Sequence, residues 1–233
     1  MGVPDEDPVR LSVQPGGGCC SSETPAVDHR SRRTSRARCS ERLHCERPGL
    51  VLLAGLAGAL DPSLRPGSVV LCRQVTAPGR DILEPDRFFT EDVRHGLRTA
   101  GSSFVYSKLL TLPEPAATGA VKLQLWNEHG AGAVDMETYQ VAAACAERRI
   151  PWIAVRTIVD TSRQALPRAL RRWQQPGDER SAVFSAMRSP WEWPAYARLG
   201  LQYWTARKAL AEALPAVVRA ARQTRIVETL EVL

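Results

Sequence analysis

One apolar segment that ends in an acid restricts the possible folds of this chain more than any other feature. Residues 151–159 read PWIAVRTIV, are almost wholly apolar and are rich in β-branched side chains. That pattern is typical of a strand covered on both faces in a parallel sheet. Asp160 follows directly, at the carboxyl end of the predicted strand, where open α/β sheets bind their ligands. The segment therefore predicts an α/β fold with Asp160 at a ligand-binding edge.

Arg156 lies inside this apolar segment and implies a buried partner. An unpaired charge in a protein interior is very costly, so the guanidinium requires a carboxylate or a carbonyl oxygen beside it. We therefore assign Arg156 a structural role next to the predicted site.

A second acidic segment precedes this strand. Residues 134–138 read VDMET and open a predicted helix over residues 136–148. Asp135 is a good N-cap residue for that helix, and Glu137 falls in its first turn. The helix dipole stabilises an acid there by about 0.3–1 kcal/mol, so spacing alone leaves both capping and ligand binding open for Glu137. Asp160 has a comparable alternative, because Asp often begins a turn.

A glycine-rich stretch follows the first predicted strand. Residues 54–60 read AGLAGAL, directly after the short apolar run at residues 50–53. The backbone from Gly55 through Ala57 to Gly58 can approach a ligand closely, because the glycines carry no side chain. The alternative is a tight turn after a buried strand.

These segments together resemble the purine nucleoside phosphorylase and nucleosidase superfamily, and within it the hopanoid-associated phosphorylases most closely. The resemblance rests on AGLAGALDPSLRPGSVV at 54–70, VDMET at 134–138, and RTIVD followed by ALP within 156–167. A Pro followed by a helix that ends with Ala206, Arg207 and Leu210 adds to it. It implies a three-layer αβα fold with a central mixed sheet, and a homodimer.

The resemblance also implies roles for the residues of these motifs. Glu137 would accept hydrogen bonds from the ribose 2′ and 3′ hydroxyls, with Met136 packed on the sugar, and Asp160 would be the general acid toward the departing purine. Gly55, Ala57 and Gly58 would line the nucleoside and anion pocket, while Arg156 and Asp135 would support it. A buried strand end would raise the pKa of Asp160, as an acid working near neutral pH requires.

The implied reaction is cleavage of the N-glycosidic bond of an adenosine-type nucleoside, with release of adenine. Phosphate is the acceptor if the chain is similar to the hopanoid group, whose substrate would be an adenosylhopane-like lipid nucleoside. Water is the acceptor if it is similar to the methylthioadenosine/S-adenosylhomocysteine nucleosidases. No metal or cofactor is expected, with inorganic phosphate as the candidate co-substrate. Two positions depart from the family pattern: Ala59 replaces a second Gly, and Val159 replaces the Ser that commonly precedes the acid.

Residues 1–49 differ in composition from the rest of the chain. Pro, Gly, Ser and Arg dominate, and the longest apolar run is two or three residues, which predicts a disordered tail. The tail has eight Arg and seven Asp or Glu, which favours a solvated linker over a nucleic-acid or membrane contact. We hypothesise that the family's first strand and anion loop are replaced or lost here. A third possibility is therefore a non-catalytic purine-binding or interaction protein.

The predicted domain spans residues 50–222, with a C-terminal extension at 223–233. Its strands are predicted at residues 51–54, 68–75, 104–110 and 153–159, and its helices at 117–129, 136–148 and 194–213. Gly130 should close the first of these helices, and Pro215 should end or kink the last.

The remaining features of the chain favour a cytoplasmic protein. No apolar run approaches the roughly 20 residues of a membrane span, and no signal peptide is visible. Six cysteines are present, of which Cys72 and Cys145 fall in predicted elements and are interpreted as buried thiols. The others, in the tail with His44, lack zinc-site spacing; they are Cys19, Cys20, Cys39 and Cys45.

Two groups of side chains have both a structural and a functional interpretation. Lys122, Arg163 and Arg168 can contact an anion but are more often solvated surface charges. Trp173, Trp191 and Trp193 surround a Pro- and Arg-rich connection; packing against the terminal helix is favoured over an apolar vestibule for a bulky 5′ substituent.

Overall fold

The computed structural model describes residues 48–167, 170, 190–223 and 230–232. Its strands are β1 (Leu50–Ala59), β2 (Val69–Thr76), β3 (Phe104–Thr111), β4 (Ala133–Asp135), β5 (Trp152–Asp160) and β6 (Leu230–Val232). Its helices are α1 (Arg87–Thr99), α2 (Gly119–His129), α3 (Thr138–Arg148) and α4 (Trp193–Gln223), the last preceded by a 3-10 turn at Pro190–Glu192. Residues 1–47 of the predicted tail lie outside the described residues, as do Arg168 and Trp173.

The strands form one mixed sheet in the order β4-β3-β2-β5-β1-β6. β1 and β5 are parallel, β2 and β3 are parallel, and β2 joins β5 in the antiparallel sense. β4 also pairs with the end of β1, where Gly58 faces Val134. β6, within the predicted C-terminal extension, pairs with the beginning of β1. The prediction of an α/β fold with a central mixed sheet is therefore confirmed.

Apolar residues cover both faces of the sheet. On one face, Val51 and Leu53 of β1 belong to a buried cluster with Val141 and Ala142 of α3. On the other face, Leu50 and Leu52 join a cluster that includes residues of α1 and α4. Successive strand side chains point to opposite faces, so β1 is apolar throughout because helices cover it on both sides. This gives the three layers of the predicted fold.

Helix α1 was not among the predicted elements. It packs against α4, and Gly96 allows the two helices to come close. Asp86 caps the helix, since its Oδ1 accepts hydrogen bonds from the backbone N–H groups of Phe88 and Phe89 at 2.9 and 3.0 Å. A Cβ built on Gly96 would lie 2.7 Å from Cβ of Ala220 on α4. A helix glycine lowers helix propensity, but here it permits the close approach of α1 to α4.

The predicted boundaries hold for most elements, with two corrections. β1 continues to Ala59, so the glycine-rich stretch is part of a strand, and the prediction of a loop or turn after residue 53 is wrong. α4 continues through Pro215 to Gln223, so Pro215 does not end it. Gly130, in the left-handed conformation with φ of 59°, closes α2 as predicted.

Trp191 and Trp193 differ from Cys72 and Cys145 in their exposure. Trp191 and Trp193 are 71% and 58% exposed, which contradicts their interpretation as packing residues. Cys72 and Cys145 are fully buried, as predicted, and burial raises the pKa of the Cys72 thiol. Over the described ranges, none of the helices combines the length and the apolar character that a membrane crossing requires.

Candidate active site

Asp160 occupies the carboxyl end of β5 and is 6% exposed. β5 pairs in register with β1 from Trp152 onward, but Ala57 faces Ile158 and Gly58 faces Asp160, so Val159 is an extra residue in β5. A bulge of this kind bends a strand and redirects its side chains. The acid therefore lies directly beside Gly58, where a Cβ would be 3.0 Å from Asp160 Oδ1.

A buried lysine contacts the other oxygen of this carboxylate. Lys122 is 1% exposed, and its Nζ donates a short hydrogen bond to Asp160 Oδ2. The same ammonium donates to the carbonyl oxygens of Thr161 and Gln164, at 2.9 and 3.3 Å. Burial raises the pKa of the Asp160 carboxyl, and the ammonium of Lys122 opposes that increase.

The interpretation of Lys122 as a surface charge is therefore wrong. Of the eleven residues of α2, all of them described, Lys122 alone is buried, whereas its neighbours Val121 and Leu123 are 41% and 53% exposed. From residue type alone, Val121 and Leu123 would be expected inside and Lys122 outside, which is the reverse of what is observed. Arg163, interpreted in the same way, is exposed.

Arg156 is paired with Asp135. Its Nε donates to Asp135 Oδ2 at 2.8 Å, and its Nη2 donates to Thr138 Oγ1 at 2.7 Å. Asp135 Oδ1 accepts from Thr111 Oγ1 at 2.7 Å and from the backbone N–H of Thr138 at 3.3 Å. The buried guanidinium therefore has the carboxylate partner that its strand position requires.

The guanidinium of Arg156 also explains why position 55 is a glycine. A Cβ on Gly55 would overlap Nη1 of Arg156 on the neighbouring strand. The glycine is therefore required by a side chain of β5, in addition to any close approach to a ligand.

Met136 and Glu137 connect β4 to α3, and both side chains are exposed. α3 begins at Thr138, so Glu137 occupies the N-cap position itself and not the first turn. Its side chain makes no capping hydrogen bond, whereas Asp135 does contact the N–H of Thr138. Local capping therefore does not occupy the carboxylate of Glu137.

All of the predicted site residues line one cavity of about 440 Å³, within the usual range of about 300–1,000 Å³ for small-molecule sites. The predicted site residues and Lys122 form one part of the lining: Gly55, Ala57, Gly58, Lys122, Asp135, Met136, Glu137, Arg156 and Asp160. The rest of the lining is apolar apart from Glu114: Leu53, Ala54, Leu56, Pro115, Ala116, Val134, Val141, Val159 and Leu166.

Lys122 and Glu114 also line the cavity, although no motif of the sequence assigned them to the site. Glu114 lies between β3 and α2 in a PEP segment that has no recognisable motif. In the described part of the chain, no group of three or more His, Cys, Asp or Glu side chains is arranged to hold a metal ion.

Comparisons with known proteins agree with this architecture. The family model of the phosphorylase superfamily matches residues 33–176, more than half of the chain. That match begins within the segment predicted as a tail. Among curated protein sequences, none matches significantly.

Solved structures of nucleosidases share the fold. The 5′-methylthioadenosine/S-adenosylhomocysteine nucleosidase of Neisseria meningitidis, in complex with methylthio-immucillin-A, is 14% identical with a TM-score of 0.60, covering 79% of this chain and 75% of that one. The Campylobacter jejuni nucleosidase of the same name is 18% identical with a TM-score of 0.53, covering 65% and 73%.

A futalosine hydrolase mutant of Helicobacter pylori is 18% identical with a TM-score of 0.50, covering 53% of this chain. The present chain spans 64% of that protein, less than two thirds of its length. At these identities the likeness concerns the fold alone.

Proposed function

The chain belongs to the phosphorylase superfamily, and from this premise we propose that it cleaves the N-glycosidic bond of an adenosine-type nucleoside. One observation carries the proposal: Asp160 from β5 and Glu137 from the β4–α3 connection line the same cavity. A nucleoside requires an acid at its base and an acceptor at its sugar, and the cavity offers a carboxyl group for each purpose.

Asp160 is proposed as the general acid. Cleavage builds negative charge on the departing purine and positive charge on the sugar, so a proton donor at the base lowers the barrier. Asp160 is nearly buried, and its pKa is raised by that burial. A raised pKa keeps a larger fraction of the carboxyl protonated near neutral pH, which general acid catalysis requires.

Glu137 and Met136 are proposed to bind the sugar. A carboxylate can accept hydrogen bonds from two vicinal hydroxyls at once, and the Glu137 side chain is not used for capping. Met136 is 38% exposed and lines the cavity beside it, which suits packing against the ribose. These contacts orient the sugar relative to Asp160.

Phosphate is the acceptor in our first proposal, following the resemblance to the hopanoid-associated group. The apolar side of the cavity, which includes Leu53, Leu56 and Leu166, supports a substrate with an apolar 5′ substituent. An adenosylhopane-like nucleoside has that character.

We also propose a homodimer, which light scattering of the purified protein would test.

Water as the acceptor is the second candidate, and the charge pairing of the cavity favours it. Among the described residues that line the cavity, the cations are Lys122 and Arg156. Each has a carboxylate partner, Asp160 and Asp135 respectively. Phosphate would have to compete with these carboxylates, whereas a neutral water molecule would not.

Base release by the purified protein tests both candidates. Adenosine, 5′-methylthioadenosine, S-adenosylhomocysteine and an adenosyl lipid would each be incubated with and without phosphate, with Asp160→Asn as the control. Release that requires phosphate excludes hydrolysis, and release without phosphate excludes obligatory phosphorolysis. No release from any of them, together with no adenine binding by calorimetry, would defeat the enzyme proposal and leave the non-catalytic alternative.

A further inference from the structure

We propose that Lys122 is a positioning residue that holds Asp160 by Oδ2 and thereby keeps Oδ1, on the Gly58 side, available to the base. The inference rests on the proposed function, because it concerns the acid of that reaction. Lys122 would act through Asp160 and need not contact the nucleoside.

The ammonium itself is held in a fixed orientation. It carries three N–H donors, and three acceptors surround it: Asp160 Oδ2, the carbonyl oxygen of Thr161 at 2.9 Å and that of Gln164 at 3.3 Å. Two of these acceptors are backbone atoms, so they do not depend on the protonation state of Asp160. Lys122 therefore remains in place whether the carboxyl is protonated or ionised.

The segment that supplies these carbonyl groups is anchored to helix α4. The side-chain amides of Gln164 and Gln202 exchange two hydrogen bonds, each of 2.9 Å. Lys122 from α2, the loop after β5 and α4 are thus joined around the acid. A side chain locked by such contacts can hold a catalytic group within the narrow tolerance that proton transfer needs.

Of the two cations among the described lining residues, Lys122 is the one that pairs with Asp160. Among the described lining residues, Arg156 of β5 pairs with Asp135 of β4. The acids Glu137 and Glu114 lie on the β4–α3 and β3–α2 connections. Lys122 is the charged group that acts on Asp160, by both its charge and its hydrogen bond.

The consequence for the proton follows from two opposing effects. Burial raises the pKa of Asp160 and would by itself make it a reluctant donor, while Lys122 lowers the pKa and favours release of the proton. In the proposed step the glycosidic bond breaks and its electron pair moves to the purine. The Oδ1 proton moves to a purine nitrogen, and an oxygen of phosphate or water forms the new bond to the sugar. When water is the acceptor, the proton that it loses passes to bulk solvent. Asp160 is then a carboxylate beside the ammonium.

Lys122→Gln tests the inference, because Gln retains a hydrogen-bond donor but removes the charge. We expect kcat to fall about 10- to 100-fold, a fraction of a typical general-acid contribution. We also expect the alkaline limb of kcat to move to higher pH, because loss of the cation raises the pKa of Asp160. Lys208→Gln is the control: Lys208 is 79% exposed on α4, and both readouts should stay at wild-type values.

A carboxyl-carbon NMR titration of Asp160 gives a readout that is independent of turnover, with Asp160→Asn used to assign the signal. A higher Asp160 pKa in Lys122→Gln supports the inference. An unchanged pKa and an unmoved alkaline limb would overturn it, even if kcat fell, because a merely structural lysine would behave in that way. Lys122→Met, whose unbranched stem matches that of lysine, replaces the Gln variant if the latter does not fold, with the same expectations.

Failure of the proposed function is distinguishable from failure of this inference. If the wild-type protein releases no base from any nucleoside, the proposed function fails, and the NMR titration still decides whether Lys122 controls Asp160. If the wild type releases base but the Asp160 titration does not respond to Lys122→Gln, the inference alone is wrong.

Discussion

Arg156 Nε and Asp135 Oδ2 lie 2.8 Å apart, and the two side chains are 6% and 3% exposed. The ion pair connects β5 to the end of β4. β5 ends with Asp160, and β4 leads through Met136 to Glu137. The pair therefore holds the two halves of the candidate site in a fixed relation, although neither member is assigned a chemical step.

Arg156→Met should destabilise the fold strongly. Removal of one partner leaves Asp135 buried without its cation, which typically costs about 3–5 kcal/mol. Urea denaturation should show this loss in the free energy of unfolding. Glu91→Gln is the control, because it breaks an ion pair to Arg94 in which Glu91 is 59% exposed, and such pairs contribute about 0–1 kcal/mol. An Arg156→Met loss as small as that of the control would contradict the prediction.

Gly55→Ala should also destabilise the protein, by about 1–3 kcal/mol, because the added methyl group overlaps Arg156 Nη1 and forces a shift in a packed region. Gly200→Ala provides the opposite case. Gly200 lies in α4 with open space around its Cβ position, so this change should stabilise the helix by about 0.5–1 kcal/mol. Thermal unfolding of the two variants compares them, and equal shifts in Tm would refute the close-packing explanation.

Gly58→Ala should affect turnover more than stability. The new methyl group would lie 3.0 Å from Asp160 Oδ1 and 3.4 Å from Val134 Cγ1, which displaces the acid by a few tenths of an ångström. Small displacements of a catalytic group are costly, so we expect kcat to fall about 10-fold. The assay is base release under saturating nucleoside, and wild-type kcat would show that Oδ1 is not the reacting oxygen.

Glu137→Gln should lower kcat/KM about 100-fold through both KM and kcat, since hydrogen bonds to a charged group contribute about 1.5–3 kcal/mol each. Its free energy of unfolding should stay within about 0.5 kcal/mol of wild type, because Glu137 is exposed and makes no capping hydrogen bond. Glu128→Gln, at an exposed position of α2, is the control. Unchanged kinetics in Glu137→Gln would remove Glu137 from the site.

The raised pKa of Asp160 predicts a pH dependence of stability. The folded protein binds this proton more tightly than the unfolded chain, whose Asp has an ordinary value of 3.8. The contribution of Asp160 is therefore complete below that pH and is lost as pH rises through the folded pKa. The free energy of unfolding of wild type relative to Asp160→Asn should fall as pH rises above 3.8. A rise over that interval would show a lowered folded pKa.

Several elements were predictable because their signals are local. The apolar run of β5 indicated a strand buried on both faces, and the acid that ends it falls at the edge where the cavity lies. Gly130 indicated the end of α2 because a left-handed residue there favours glycine. VDMET located the connection that carries Glu137 into the cavity. Residue type and neighbouring positions were sufficient for β5 and for the end of α2, whereas for Glu137 the prediction of a site depended on the resemblance of VDMET to the family motif.

Other features depended on contacts between distant residues. Gly55 and Gly58 indicated a loop, but they lie in β1. Glycine is needed at these strand positions because Arg156 and Asp160 on the adjacent strand occupy the space that larger side chains would fill. β4 has only three residues and is held in place by pairing with both β3 and β1. No periodicity can be read from so short a strand.

The sequence alone predicted the kind of fold and the acid at the end of β5, because an apolar run and the carboxylate that follows it are properties of consecutive residues. The tertiary structure decided which charges meet. Lys122 and Asp160 are 38 positions apart in the chain, and a lysine between exposed apolar neighbours has the pattern of a surface residue. Burial of a charge is stable only with a partner, and the fold alone brings that partner to it.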